Sequence, residues 1–384
     1  MSISLFSFFS GVGMLDLAFE RNRYNIVLVN EYCTQFLEAY KYARRKLNIA
    51  PPIYGYYERN AEYFVRKRGK KRLEKLMRAE REQGSLVGFI GGPPCPDFSV
   101  AGKNRGSEGA YGKLTKTYFD IICRCRPDFF VFENVKGLVK TQKHKHFYSE
   151  MQHKLLANDY IISHKLLNAL SYGVPQFRER EIMIGISKQL FERLGYQATL
   201  DGSFDFPWNE HTISELEEIL NQPWPAMQRF IVNSRRVNRW TDYEELTVNY
   251  WFLKNDVCHH PNARDRFAVK AGRVKMDSIA EGDTTRKSFK RLHRWRYSPT
   301  ACYGNNEVHL HPYKARRLSV AEAMAIQSLP REFVLPREMS LSAKFKTVGN
   351  GVPYLLSEAI AITLYDFLHA EGGENQHDKF QDKN

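Results

Sequence analysis

Four short segments carry side chains whose types and spacing could do chemistry. The most specific is Gly91-Gly92-Pro93-Pro94-Cys95-Pro96-Asp97-Phe98-Ser99, directly after the apolar run Val87–Ile90. Such a run would deliver the chain to a stiff Pro-Pro turn at the C-terminal edge of a sheet, where doubly wound folds keep their sites. Prolines on both sides of Cys95 remove backbone donors and restrict rotation, so the thiol is aimed rather than packed as a small hydrophobe. The second segment, FFVFENV from Phe129 to Val135, ends an apolar strand on Glu133. Partial desolvation there would raise its pKa and suit it to donate a proton, although a strand-ending glutamate can also be merely solvated. In the third, Gln176, Arg178 and Arg180 alternate within QFRER and would project from one face of an extended segment. Three donors on one side suit base edges or phosphate oxygens, and equally a salt-bridged surface strand.

The fourth segment is Phe9-Ser10-Gly11-Val12-Gly13, between an apolar run and the helical LDLAFE. Glycines at a strand-to-helix turn let a ligand approach the backbone. Glu31 follows the next apolar run, 18 residues after Gly13, a spacing at which a strand-end acid binds ribose hydroxyls. The missing third glycine argues for a nucleotide-like cofactor other than a nicotinamide.

These segments need a scaffold. Up to about residue 187, short apolar runs (Ile26–Val29, Val87–Ile90, Phe129–Phe132, Ile182–Ile186) alternate with amphipathic stretches. That rhythm predicts a sheet with helices on both faces. Between Arg66 and Gln83 lies a highly charged stretch, read as a solvated surface helix whose basic side could also touch phosphate. Helix returns at Ser319–Ser328 and Pro353–Ala370, and the polar C-terminal end is expected to fray.

The 384 residues carry 57 Lys/Arg against 43 Asp/Glu, a net charge of +14, which favours a polyanionic partner. From Arg229 to Arg296 there are 16 cations and 8 acids, interleaved with Trp240, Tyr243, Tyr250, Trp251, Trp295 and the adjoining Tyr297. Cations among aromatics suit phosphate contact and base stacking. No apolar run is long enough to span a membrane, and Ser2 to Phe9 reads as a buried first strand rather than a signal peptide. The six cysteines are scattered without paired metal spacing, as in a reduced cytoplasmic protein; no metal is expected.

In order, FSGVG, Glu31, GGPPCPDFS, FENV, QFRER, Arg317-Leu318-Ser319, Gln327-Ser328-Leu329-Pro330 and VGNGVP closely resemble the DNA cytosine-5 methyltransferase family, bacterial or phage type. The resemblance covers roughly residues 3–187 and 298–365. It implies an α/β fold with a doubly wound, mixed, Rossmann-like sheet and a smaller irregular target-recognition domain. The catalytic and cofactor-binding domain would comprise 1–187 plus 345–384, and the target-recognition domain 188–344. Cys95 would be the thiolate that adds to cytosine C6, Glu133 the proton donor at N3, and Arg180 with Arg178 the contacts to O2 and the nearby backbone. Phe9, Gly11, Val12, Gly13, Glu31, Tyr32, Pro93, Asn350 and Gly351 would line the S-adenosylmethionine site, and Ser99 and Gln176 would bind substrate. Three positions depart from the pattern: either Glu58 or Asn60 replaces the usual adenine-binding acid, Leu114 and Thr117 compete for one cofactor-lining position, and Gly351 stands where serine is common. The expected partner is double-stranded DNA, with a cognate restriction endonuclease as functional rather than physical companion, and the expected state is a monomer. The alternatives are an RNA cytosine-5 methyltransferase, against which Ser99 and the long middle region argue, and a catalytically silent DNA-binding relative.

Overall fold

Along Ile3–Phe8 (β1) the side chains alternate between two apolar layers, Ile3 and Leu5 on one side and Phe6 and Phe8 on the other. A strand buried on both faces belongs inside a sheet covered twice by helices. The computed structural model, which describes residues 1–94, 110–234, 242–268, 273–286, 288–300, 303 and 308–370, has that architecture. The chain continues through α1 (Met14–Glu20), β2 (Asn25–Asn30), α2 (Thr34–Lys46), β3 (Tyr56–Tyr57), α3 (Lys67–Glu82) and β4 (Leu86–Gly91). Next come α4 (Ala110–Cys125), β5 (Phe129–Val135), α5 (Gly137–Lys140), α6 (Gln142–Leu156), β6 (Tyr160–Asn168) and β7 (Glu179–Ser187).

The seven strands lie in the order β3-β2-β1-β4-β5-β7-β6. β1 to β5 are parallel, and β7 runs antiparallel to both β5 and β6. The chain leaves β1 for β2 on one side and returns to β4 on the other. The turn after β1 therefore sits at the topological switch point, where such sheets bind ligands. Every strand anticipated from an apolar run is present, as is the charged helix. The two-residue β3 and the partly exposed β6, with His164 and Lys165 outward, lack a continuous apolar run and escaped notice.

One face of the sheet packs Ile3, Leu5, Ile90 and Val131 against Leu356, Ile360 and Leu364 of α13 (Tyr354–His369). The other packs Phe6, Phe89 and Phe132 against α3, α4 and α6. Between residues 188 and 340 the elements are short. They are α7 (Lys188–Arg193), α8 (Leu216–Leu220), α9 (Val248–Lys254), α10 (Arg273–Asp277), β8 (Lys290–Arg291), β9 (His309–Leu310) and α11 (Val320–Ile326). The capping box of Ser319 and Glu322 starts α11, and α12 (Leu341–Asn350) leads back to the sheet. Among the described residues no single helix is long and apolar enough to cross a membrane.

With so little sheet in the middle region, buried arginines tie it together. Arg291 donates to the carbonyls of Met276, Ile279 and His311, and Arg294 pairs with buried Glu281 at 2.7 Å. This corrects part of the basic-aromatic reading. Arg291, Arg294 and Trp251 are inside, so they hold the fold rather than face a ligand; Trp240 lies outside the described residues.

Candidate active site at the carboxyl edge of the sheet

Strand register sets four candidate positions in a row. Phe8 is level with Asn30 of β2 and with Gly91 of β4, and Gly91 is level with Phe132 of β5. One residue further, Glu31, Phe9, Gly92 and Glu133 stand side by side at the carboxyl edge. Three strand spacings separate the two carboxylates' strands, about 14 Å.

At the β5 end, Glu133 is 7% exposed and Arg180 Nε lies 2.7 Å from its Oε1. Burial pushes the Glu133 carboxyl above its ordinary pKa, and the guanidiniums of Arg180 and Arg178 oppose that rise. The group therefore combines an aimed carboxyl with a proton it can hold nearer neutrality than a solvated glutamate. A Cβ at Gly92 would stand 2.5 Å from Glu133 Oε2, so the second glycine of GGPPC makes room for this carboxylate. Pro93 is buried beside it. Cys95 and Ser99 lie outside the described residues.

At the β1–β2 end, Phe9, Gly11 and Gly13 all have positive φ (54°, 56° and 75°), and the phenylalanine packs edge-on against Tyr118. Both oxygens of Glu31 are fixed by backbone, Oε2 by the Gly11 N–H at 2.8 Å and Oε1 by the Cys33 N–H at 2.7 Å. Burial raises this carboxyl's pKa, against those two hydrogen bonds. A carboxylate oriented across a glycine turn, with further acceptor capacity on each oxygen, fits a vicinal diol. Tyr32 is exposed next to it. Glu58 and Asn60 both follow β3. The Asn60 oxygen caps the turn at Glu62, whereas Glu58 accepts from the Thr34 hydroxyl.

Beneath the turn lies a group that motif reading missed. Buried Arg44 donates to the Gly13 carbonyl at 2.8 Å, pairs with Glu20 at 2.8 Å and stacks on Tyr40. Tyr40 in turn donates to buried Asp16. Burial raises Asp16 and carries Glu20 to about 7, Arg44 opposing both. A Cβ at Gly13 would meet the Tyr40 ring at 2.4 Å and Arg44 at 2.6 Å. The Tyr40/Arg44 spacing of four on a helix was the only advance signal.

Three anticipated side chains turn elsewhere. Gln176, expected at the substrate, is completely buried and its amide donates to the Ile326 carbonyl and the Gln327 side chain. Arg178 is also buried, donating to the carbonyls of Gly349 (2.7 Å) and Gly351 (3.1 Å). The alternating face of QFRER does exist: Arg180 pairs with Glu133 and the Arg178 charge also acts on that carboxyl, while the hydrogen bonds of Gln176 and Arg178 fasten the last helices to the sheet. Val12 points into the core shared with Ala39 and Ala43, leaving only its backbone at the turn. Arg178's grip places exposed Asn350 and half-buried Gly351 beside FSGVG, since a Cβ on Gly351 would strike Met14, which directly follows that turn.

The family model for C-5 cytosine-specific DNA methylases matches residues 3–366. The chain belongs to that family. It is a DNA (cytosine-5-)-methyltransferase. It is 49% identical over 365 residues to the Type II methyltransferase M.NmeDI of Neisseria meningitidis serogroup C, covering 95% of this chain and 84% of that one. To M.MthTI of Methanothermobacter thermautotrophicus it is 28% identical, covering 94% and 96%. Among solved structures, a DNA modification methyltransferase encoded within an E. coli prophage superposes with a TM-score of 0.61 at 20% identity, over 96% of this chain and 99% of that one. The S. pombe Dnmt2 methyltransferase gives 0.57 at 10% identity, over 95% and 98%. At those identities the likeness is one of fold.

Proposed function

We propose that this methyltransferase carries a methyl group from S-adenosylmethionine to C5 of a cytosine flipped out of a specific duplex sequence, through a covalent bond between Cys95 and C6. The observation that carries the reading is the Glu133–Arg180 pair, held at the sheet edge beside the segment that leads to Cys95. Cytosine C5 is a poor nucleophile. Addition of the Cys95 thiolate at C6, with Glu133 giving a proton to N3, makes an enamine whose C5 is nucleophilic. Arg180 orients Glu133 and offers its remaining N–H groups to O2. C5 takes the methyl group; loss of the C5 proton to water then expels the Cys95 thiolate, and Glu133 takes back the N3 proton as the aromatic ring is restored. The base must leave the duplex for this, at a cost of a few kcal/mol.

The residues at the β1–β2 end fit the methyl donor. Glu31 would take the ribose hydroxyls, the Phe9–Gly13 turn would admit the backbone-close part of the ligand, and Asn350, Gly351, Tyr32 and Pro93 would border it. When bound, S-adenosylmethionine supplies an electrophilic methyl group and departs as S-adenosylhomocysteine. Residues 1–187 with 345–384 would form this catalytic unit and 188–344 the target-recognition unit. The Type II names of the relatives support a modification role beside a restriction endonuclease, in the cytoplasm.

DNA containing 5-fluorocytosine tests the chemistry, because fluorine cannot leave and the adduct accumulates. Wild type with S-adenosylmethionine should form a denaturation-resistant protein–DNA complex and Cys95→Ala none. Equal trapping by the variant, or none by wild type, overturns the mechanism.

A further inference from the structure

The net charge of this chain is concentrated in two places. Residues 229–296 hold an excess of eight cations, and Arg66–Glu82, with nine Lys/Arg against three Asp/Glu, holds an excess of six. The rest of the +14 chain is balanced. The target-recognition reading absorbs the first excess, and nothing so far uses the second.

The second excess sits on α3, a helix with two unlike sides. Its inner side is clamped. Leu73 and Met77 enter the core, and Glu80 accepts from the hydroxyls of Ser4 and Tyr54, both at 2.5 Å. Gly69 lies so close to the Tyr63 carbonyl that a Cβ would stand 2.0 Å from it. The helix therefore cannot roll. On its outer side Arg66, Lys67, Arg68, Lys71, Lys75 and Arg78 are exposed, and among the described residues none of them has an acidic partner. Of the acids on or beside the helix, Glu74 pairs with Lys70, Glu80 accepts from Ser4 and Tyr54, and Asp128 pairs with Arg81, while exposed Glu82, one turn after Arg78, can offset only that end of the row.

A helix gains nothing from such a face on its own account. Like charges four residues apart, as at Lys67, Lys71 and Lys75, each cost a few tenths of a kcal/mol. The same row, continued to Arg78, sets a positive charge about every 5–6 Å along some 16 Å of rigid helix, which suits a polyanion. Its position decides which polyanion segment. α3 follows β3 and runs back to the start of β4, so it leads away from the carboxyl edge down the side of the domain. A duplex seated over Glu133 would have to bend sharply to follow it.

We propose that the outer face of α3 is a second, sequence-independent contact for the phosphates of duplex DNA outside the target site. This rests on DNA being the substrate. It would retain the enzyme on DNA between targets, since such contacts carry non-specific binding and depend steeply on salt.

The test compares wild type with K67Q/K71Q/K75Q/R78Q, Gln being a good helix former, and with K67R/K71R/K75R. Binding to a random-sequence duplex is measured from about 50 to 200 mM salt. Each lost phosphate contact removes about 0.9 from the slope of log K against log salt. The Gln variant should therefore show a slope shallower by roughly two to four, and a higher KM for long DNA at the upper salt, with kcat at saturating DNA unchanged. The Arg variant should match wild type. A Gln variant with wild-type slope and KM overturns the proposal. Failure of wild type to methylate any DNA would instead sink the reading on which it rests, and the binding slopes would still report on α3.

Discussion

Adding one methyl group at Gly92 should disable catalysis with little loss of fold. Gly92 does not have a left-handed backbone, so alanine brings no conformational strain. Its Cβ would stand 2.5 Å from Glu133 Oε2, against an ordinary contact of 3.4 Å or more. The carboxylate must then retreat by about 0.9 Å, and it starts from an ion pair of 2.7 Å with Arg180. A displacement of about 1 Å at a reacting group costs on the order of 100-fold in rate. Overpacking at a buried site costs about 1–3 kcal/mol, which for a chain this long moves Tm by only a few degrees. Transfer of tritiated methyl to DNA, with thermal unfolding in parallel, separates the two effects. We expect Gly92→Ala to lose about two orders of magnitude in kcat, and Glu133→Gln in that background to add little, because both changes act on one carboxyl. A Gly92→Ala enzyme with wild-type kcat, or fully additive losses, would refute the claim that this glycine exists to place Glu133.

The remaining predictions concern residues the structure reassigned or added. Arg178→Met should cost about 1.5–3 kcal/mol for each charged hydrogen bond lost to the Gly349 and Gly351 carbonyls, seen by urea unfolding, with kcat of the folded enzyme near wild type, whereas Arg180→Met, which strands buried Glu133, should lose kcat as well as stability; a kcat loss for Arg178→Met as large as for Arg180→Met would restore Arg178 to the substrate. Arg44→Met should raise the KM for S-adenosylmethionine at least tenfold, with kcat at saturation within a few-fold of wild type, because the turn loses its support at Gly13; an unchanged KM would make Arg44 a packing residue only. His309 is buried with no hydrogen-bond partner for either ring nitrogen among the described residues, and burial lowers its pKa to about 3. The folded state thus refuses a proton that the unfolded chain accepts below 6.5, so this residue's contribution is intact above 6.5 and is lost as pH falls toward 3. Relative to wild type, His309→Leu should gain about 1.4 kcal/mol per pH unit below 6.5 in urea unfolding from pH 8 to pH 5, and a pH-independent difference would show that His309 does titrate normally.

What was legible in the sequence divides along physical lines. Apolar runs announce strands because a doubly covered sheet demands them, and a turn must follow each strand. FSGVG, GGPPC and FENV therefore fell at one edge as soon as the strands were recognised. The destinations of Gln176 and Arg178 were not legible, since alternation says which side chains share a face but not whether that face meets a ligand or another helix. Both reach partners more than 140 residues away in the chain. Arg44 was hidden for the same reason: its partners at Val12, Gly13 and Glu20 precede it by a helix and a strand.

Gly92 and Gly13 join these cases. Each reads in the sequence as a concession to the backbone, and at Gly13 the positive φ agrees. Yet at both positions the side-chain space is already filled, by Glu133 in one case and by Tyr40 and Arg44 in the other. The glycines of the two motifs are thus the imprint of charged side chains packed against them from other strands and helices. It follows that the motif and its support must change together. A substitution that shortens Glu133 should relax the requirement for glycine opposite it, whereas removing Arg44 should not free Gly13, and the paired variants Glu133→Asp with Gly92→Ala, and Arg44→Ala with Gly13→Ala, separate the cases. The first pair should recover folding and carboxyl placement in part. The second should stay impaired, because φ at Gly13 remains +75° whatever space is cleared.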